Sequence, residues 1–154
     1  MGLEIERKYL VRGDAWRRGA EGVPFRQGYL STVRERVVRV RTMGDRAVLT
    51  VKGANRGATR LEFEYAIPVA DANELLDLCE QPLIEKTRYR IPHGGLVWEV
   101  DEFHGVNKGL IIAECELEAE DQAVATPEWV GDEVTGDPRY FNASLVARPF
   151  STWS

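Results

Sequence analysis

Segment after segment of this chain alternates charged and apolar side chains at every second residue, the signature of strands with one ionic face. Glu4, Glu6 and Lys8 point one way, and Leu3, Ile5, Arg7 and Tyr9 the other. Arg39 and Arg41 share one face of a β-branched run, as do Val48, Thr50 and Lys52. Glu62 and Glu64 oppose Leu61, Phe63, Tyr65 and Ile67. Lys86, Arg88 and Arg90 alternate with Thr87, Tyr89 and Ile91, and Glu99 and Asp101 oppose Trp98 and Val100. Glu114, Glu116 and Glu118 alternate with Ala113, Cys115 and Leu117.

A sheet wetted on one face also alternates. Here, however, Ser, Thr, Asn and Gln are scarce at the polar positions, and the charges are sorted by strand. Glu4 stands with Glu6, Glu62 with Glu64 and Glu114 with Glu116, but Arg39 with Arg41 and Lys86 with Arg88. A surface evolved for solubility intersperses its signs. Same-sign pairs suit an interior where each meets a multivalent partner of opposite charge. Strands are predicted near 3–10, 25–32, 36–43, 46–53, 60–68, 85–92, 96–103 and 110–118, with hairpin turns at Gly44-Asp45 and Gly94-Gly95. Asn55-Arg56-Gly57 marks a more open connection. Helices are predicted over 72–80 with Asp71 as cap, in a short stretch after Glu120, and over 138–147 with Asp137 as cap and Pro138 at the first position. The expected fold is therefore α+β: an antiparallel eight-stranded β-barrel, forming a tunnel or cleft with a charged interior. Its apolar outer faces are expected to pack against a few flanking helices.

With 154 residues, one domain over 1–154 is expected. A net charge of −5 argues against a nucleic-acid polymer as partner. No apolar stretch suggests a membrane partner, and Glu6 stands where a myristoylation signal needs Ser or Thr. Cys79 and Cys115 form neither a disulfide framework nor a zinc spacing, so a cytoplasmic location is expected. Oligomeric state is left open, a homodimer included.

The inward cations are Lys8, Arg39, Arg41, Lys52, Lys86 and Arg88. The inward carboxylates are Glu4, Glu6, Glu62, Glu64, Asp101, Glu114 and Glu116. Guanidinium forks match phosphate oxygens, and clustered carboxylates are hard ligands for Mg²⁺ or Mn²⁺. A polyphosphate chain is the ligand that needs both sets together. His93 and His104 lie in predicted turns and loops, which makes zinc a poor fit.

In this order, Glu4-x-Glu6-x-Lys8, Arg39-x-Arg41, Lys52, Glu62-x-Glu64, Lys86-x-Arg88, Asp101 and Glu114-x-Glu116 resemble the signature of the CYTH domain, or triphosphate tunnel metalloenzyme, family. The resemblance implies a tunnel-forming barrel that hydrolyses or rearranges small triphosphates with Mg²⁺ or Mn²⁺. Phe25-Arg26-Gln27-Gly28-Tyr29-Leu30, Glu85-Lys86-Thr87-Arg88-Tyr89 and the tail Gly131-Asp132-Glu133-Val134-Thr135, with Arg139-Tyr140 and Asn142, are similar to short bacterial inorganic tripolyphosphatases. It further implies that Arg39, Arg41, Lys52, Lys86 and Arg88 grip the phosphates and that Lys8 stabilises the transferred group. Glu4, Glu6 and Glu116 would hold the principal metal, assisted by Glu62, Glu64, Asp101 and Glu114. Tyr29 would act as proton acceptor, its pKa lowered by nearby cations. Rival readings are a thiamine triphosphatase or other nucleoside triphosphatase, a class IV adenylate cyclase, and a polyphosphate-binding module without turnover.

Overall fold

The computed structural model describes residues 2–153; the expected domain, 1–154, extends one residue beyond them at each end. The strands are β1 (Leu3–Val11), β2 (Gly22–Ser31), β3 (Val37–Met43), β4 (Arg46–Lys52) and β5 (Thr59–Ile67). They continue with β6 (Ile84–His93), β7 (Leu96–Phe103), β8 (Ile111–Glu116) and β9 (Val130–Glu133). All pairings are antiparallel, and the order β5-β4-β3-β2-β6-β7-β8-β1 closes when β1 pairs back onto β5. The eight-stranded barrel is thus complete. At the β6–β7 hairpin both turn residues, Gly94 and Gly95, have positive φ (58° and 78°), a conformation that favours glycine in a tight two-residue turn.

Closure depends on β1, which is long enough to serve three neighbours. Residues 3–5 pair with β5, residues 6–10 with β8, and Tyr9 and Val11 with β9. Between β5 and β9 the free edge of β1 is taken up by loop groups. The Glu6 amide donates to the Ala58 carbonyl, the Lys8 amide to the Thr135 hydroxyl, and the Val134 amide to the Lys8 carbonyl.

Apolar side chains fall into three clusters. Outside β1, β7 and β8, Trp98, Val100, Ala113 and Cys115 pack with Tyr9, Trp16 and Trp129. The helix α1 (Val69–Leu78) lays Ala72 and Leu76 against Val40 and Ala47. The third cluster lies within the barrel, where Tyr29, Val37, Ile84, Phe103 and Ile112 meet Tyr140, Leu145 and Val146 of the C-terminal segment. That segment therefore plugs one end. Among the described residues no helix covers the apolar face of β5: Leu61, Phe63 and Tyr65 are exposed, with Leu3 beside them. The expectation that every outer face is covered is corrected there.

Three element boundaries also differ from expectation. α1 begins at Val69 after Pro68, so Asp71 sits in its first turn rather than capping it. No helix follows Glu120, because its carbonyl accepts from Arg7 and its carboxylate from the Ala58 amide, fastening the segment as irregular chain. The helix expected over 138–147 is split into a 3₁₀ turn at Pro138–Tyr140 and a short α2 at Ser144–Ala147. Asp137 does cap the first, accepting from the Arg139 amide. The extended backbone at Phe141 leaves the Tyr140 carbonyl out of any helix, and Lys8 Nζ donates to it at 3.1 Å. β9 escaped sequence reading because four residues, Val-Gly-Asp-Glu, are too few to show a period.

Candidate active site

The charged rows converge. A cavity of about 960 Å³ runs through the barrel, walled by Glu4, Glu6 and Lys8 of β1, Arg39 and Arg41 of β3, and Lys52 of β4. Glu62 and Glu64 of β5, Lys86 and Arg88 of β6, and Glu114 and Glu116 of β8 also line it, so every expected charge except Asp101 lies on the wall. Cations and acids occupy different arcs because β3, β4 and β6 contribute cations and β8 acids, while β1 carries both signs and places Lys8 beside Glu4 and Glu6.

The cationic arc is tightly held. Arg39 donates to the Thr50 hydroxyl at 3.1 Å and lies 3.7 Å from Glu64. Arg41 Nε donates to Gln27 Oε1 at 2.8 Å, while the Arg41 and Arg88 guanidiniums each lie 4.9 Å from the Phe25 ring centre. Burial and the neighbouring charges of Arg39 and Arg88 pull Arg41 down to about 9. Burial, then the Arg39 charge, lowers Lys52, and burial lowers Lys86 well below the ordinary lysine value. A group of cations that disfavours its own protons is electrostatically incomplete. A polyanion among them would reverse that effect.

Asp101 takes a place different from the other carboxylates. It is 1% exposed, off the cavity wall, with both oxygens engaged. Arg88 Nε and Nη2 donate to them at 2.7 and 2.8 Å, and Lys86 Nζ lies 2.7 Å from Oδ2. It aims the two cations of β6. Glu99, two residues earlier and on the same face, does reach the wall and lies 3.3 Å from Arg88.

The acidic arc consists of facing pairs. Glu4 neighbours Glu62, and Glu6 neighbours Glu114, each pair within hydrogen-bonding reach. Burial and the Glu6 charge raise Glu4 to about 9; burial and the Glu114 charge raise Glu6 to about 7. Burial also pushes on Glu62, but the Glu4 hydrogen bond and the Lys52 charge outweigh it and bring the group to about 2. Lys8, Arg88 and Lys86 likewise overcome burial at Glu114 and lower it. Glu64 and Glu116 are exposed.

Among the described residues no three His, Cys, Asp or Glu side chains are already gathered at metal-binding spacing. The donor set nonetheless suits a hard divalent cation. The neighbouring carboxylates repel one another, which helps raise Glu4 and Glu6, and buried Glu4 Oε1 has no hydrogen-bond partner. A divalent ion would satisfy both conditions, offsetting the repulsion and giving the orphaned carboxylate a partner.

Lys8 stands between the two arcs, 3.8 Å from Glu114 and 5.5 Å from the Phe141 ring centre. Tyr29 is also on the wall, but its phenol is raised, not lowered. Burial outweighs the opposing charges of Arg39 and Arg41, the Gln27 hydrogen bond and the Lys8 charge. The expected depression by cations is corrected on that ground. Sequence reading missed Gln27 and Asn142 as site residues. Gln27 is in phase with Phe25 and Tyr29, a usable signal, whereas Asn142 arrives from the C-terminal plug without any pattern.

A family model described as "CYTH domain" matches residues 2–150. The chain is 53% identical over 154 residues to an inorganic triphosphatase of Acetivibrio thermocellus, covering 99% of each. It is 40% identical over 152 residues to an inorganic triphosphatase of Nitrosomonas europaea, covering 93% of this chain and 96% of the other. The crystal structure of an inorganic triphosphatase superimposes with a TM-score of 0.65 at 36% identity, over 92% of this chain and 96% of that one. A conserved hypothetical protein from Pyrococcus furiosus shares the fold at 17% identity, with a TM-score of 0.59 over 77% of this chain and 80% of that one.

Proposed function

This chain belongs to the CYTH domain family, and from that footing we propose that it is a divalent-metal-dependent inorganic triphosphatase. Its reaction is hydrolysis of a phosphoanhydride bond of tripolyphosphate, with release of orthophosphate. The observation that carries this reading is the cavity itself, where an arc of buried cations faces an arc of paired carboxylates.

Arg39, Arg41, Lys52, Lys86 and Arg88 bind the phosphoryl chain, offering forked donors and point charges along one side. Asp101 serves the reaction through Lys86 and Arg88, which it holds in one orientation; it is assigned here to aiming cations rather than to ligating metal. Lys8 is fixed by the Tyr140 carbonyl and Glu114, so its ammonium is already in place to stabilise charge developing on the transferred group. Glu4, Glu6, Glu62 and Glu114 would hold the metal, with Glu64 and Glu116 at the more exposed end. When bound, Mg²⁺ or Mn²⁺ neutralises phosphate charge and polarises the bond being broken. The apolar plug keeps water out of one end, which strengthens every charge contact inside.

The wall also favours bare polyphosphate over thiamine triphosphate or a nucleotide. Phe25 lies against Arg41 and Arg88, and Phe141 against Lys8, so neither ring offers a free platform for a base or thiamine. The substrate is thus a small molecule, and the matched span 2–150 is read as one domain. No helix among the described residues is long and apolar enough to cross a membrane. Both cysteines are free and buried, in keeping with the cytoplasmic location proposed here.

Phosphate release measured with tripolyphosphate, ATP, thiamine triphosphate and pyrophosphate, each with Mg²⁺ or Mn²⁺, tests the assignment. Tripolyphosphate should give the highest kcat/KM, and a chelator should abolish it. A faster organic triphosphate, or tight binding without release, would replace this reading by one of its rivals.

A further inference from the structure

Two neutral amides tie the reactive groups together. Gln27, fully buried, lies directly across from Arg41 in the β2–β3 pairing. Its Oε1 accepts from Arg41 Nε at 2.8 Å, and its Nε2 donates to the Tyr29 hydroxyl at 2.9 Å and to Asn142 Oδ1 at 3.2 Å. Asn142 Oδ1 accepts a second bond, from Lys86 Nζ at 2.8 Å. The polarity of this chain has no freedom. Arg and Lys only donate, so each must face an amide oxygen, and the Gln27 amino group is thereby turned toward Tyr29. The Tyr29 oxygen is an acceptor on its Gln27 side, and its own proton has to lie elsewhere. Because Tyr29 is on the cavity wall, elsewhere is the cavity.

We propose that Gln27 is a positioning residue for the reaction, setting the hydrogen-bond polarity of Tyr29 and the aim of Arg41 with one side chain. The assignment of a reaction rests on the triphosphatase reading above; the polarity itself does not. In this arrangement the phenol proton is exchanged only with what occupies the cavity, a water or a phosphate oxygen. The Gln27 amino group stays behind to stabilise the oxygen when that proton is gone. Charged groups facing the phenol are Arg39 and Arg41 from β3 and Lys8 from β1, all favouring the same outcome against burial. Through Asn142 the network extends to Lys86, coupling the C-terminal plug to the phosphate grip.

The test compares wild type, Q27E, Q27M, Y29F and the Q27E/Y29F double variant. A carboxylate at position 27 still accepts from Arg41 but presents an acceptor to Tyr29, drawing the phenol proton inward. Methionine removes both contacts. With ¹³C-labelled tyrosine, the Tyr29 resonance, identified by its loss in Y29F, should titrate about one pH unit or more higher in Q27E than in wild type. With tripolyphosphate, Q27E should lower kcat at least about tenfold with little change in KM. Q27M should raise KM as well, because Arg41 is released. The double variant should be no slower than Y29F alone. Should Q27E not fold, the upward shift is read from Q27M, which also lacks the donor. An unmoved Tyr29 titration in a folded variant, or losses that multiply in the double variant, would overturn the proposal. A Tyr29 shift in Q27E together with a wild type that cleaves no tripolyphosphate would instead sink the functional reading and leave the network standing.

Discussion

Asp101 shows how one buried acid can matter without touching substrate. Its neighbours Lys86 and Arg88 are both needed on the wall, and both are held by its two oxygens. Removing that charge leaves two cations uncompensated in a dry environment. Asp101→Asn should therefore cost about 3–5 kcal/mol in urea denaturation and raise KM for tripolyphosphate. Metal affinity, measured separately by titration calorimetry, should stay near wild type; a large loss there would return Asp101 to the ligand set. From sequence, Asp101 is indistinguishable from Glu99, since both share a face of β7. Which of the two reaches the cavity depends on depth along the strand, and alternation carries no depth.

Elements were more legible than their partners. The eight barrel strands follow from period-two alternation, and their inward faces from the sorting of charge, so the cation and carboxylate rows could be named in advance. What alternation could not convey is which outer faces receive cover. α1 shelters β3 and β4, whereas Leu61, Phe63 and Tyr65 of β5 present the same kind of row to solvent. The C-terminal helix was misjudged for a similar reason: local propensity favoured continuity, but Lys8 takes the Tyr140 carbonyl and Lys86 and Gln27 take Asn142. Tertiary hydrogen bonds overrode the local preference. α1, by contrast, is support alone, since none of its residues reaches the cavity. Leu76→Ala should lower stability by about 2–5 kcal/mol while leaving KM unchanged at permissive temperature. A shifted KM would show that α1 also shapes the site.

For the whole molecule, the paired acids link stability to pH and to metal. Glu4 and Glu6 hold protons in the folded chain up to about 9 and about 7, against 4.5 as the ordinary value. At these two groups the folded state thus binds more protons, and their contribution to metal-free stability falls as pH rises from about 4.5 through those two values. Glu62, held down, acts in the opposite direction only as pH falls below its ordinary value toward about 2. Denaturation midpoints of metal-free wild type, taken relative to an E4Q/E6Q double variant so that the opposing effect of the lowered Lys52 and Lys86 cancels, should accordingly decrease between pH 5 and pH 9, a window set by the Glu4 and Glu6 values. Added Mn²⁺ should restore them with proton release, detectable by calorimetry in buffers of different ionisation enthalpy. A flat relative profile without metal would contradict the raised values of Glu4 and Glu6.

The closing of the barrel on β1 has a consequence for how the protein is made. β1 emerges from the ribosome before the rest of the barrel, yet its main partner β8 is translated about a hundred residues later, and the stretch that secures Lys8 later still. Until then Glu6 and Lys8 lack Glu114, and Lys8 lacks the Tyr140 carbonyl, so both stay open to water. Their transfer out of water is deferred to a final, long-range docking step, which places the catalytic interior among the last features to mature.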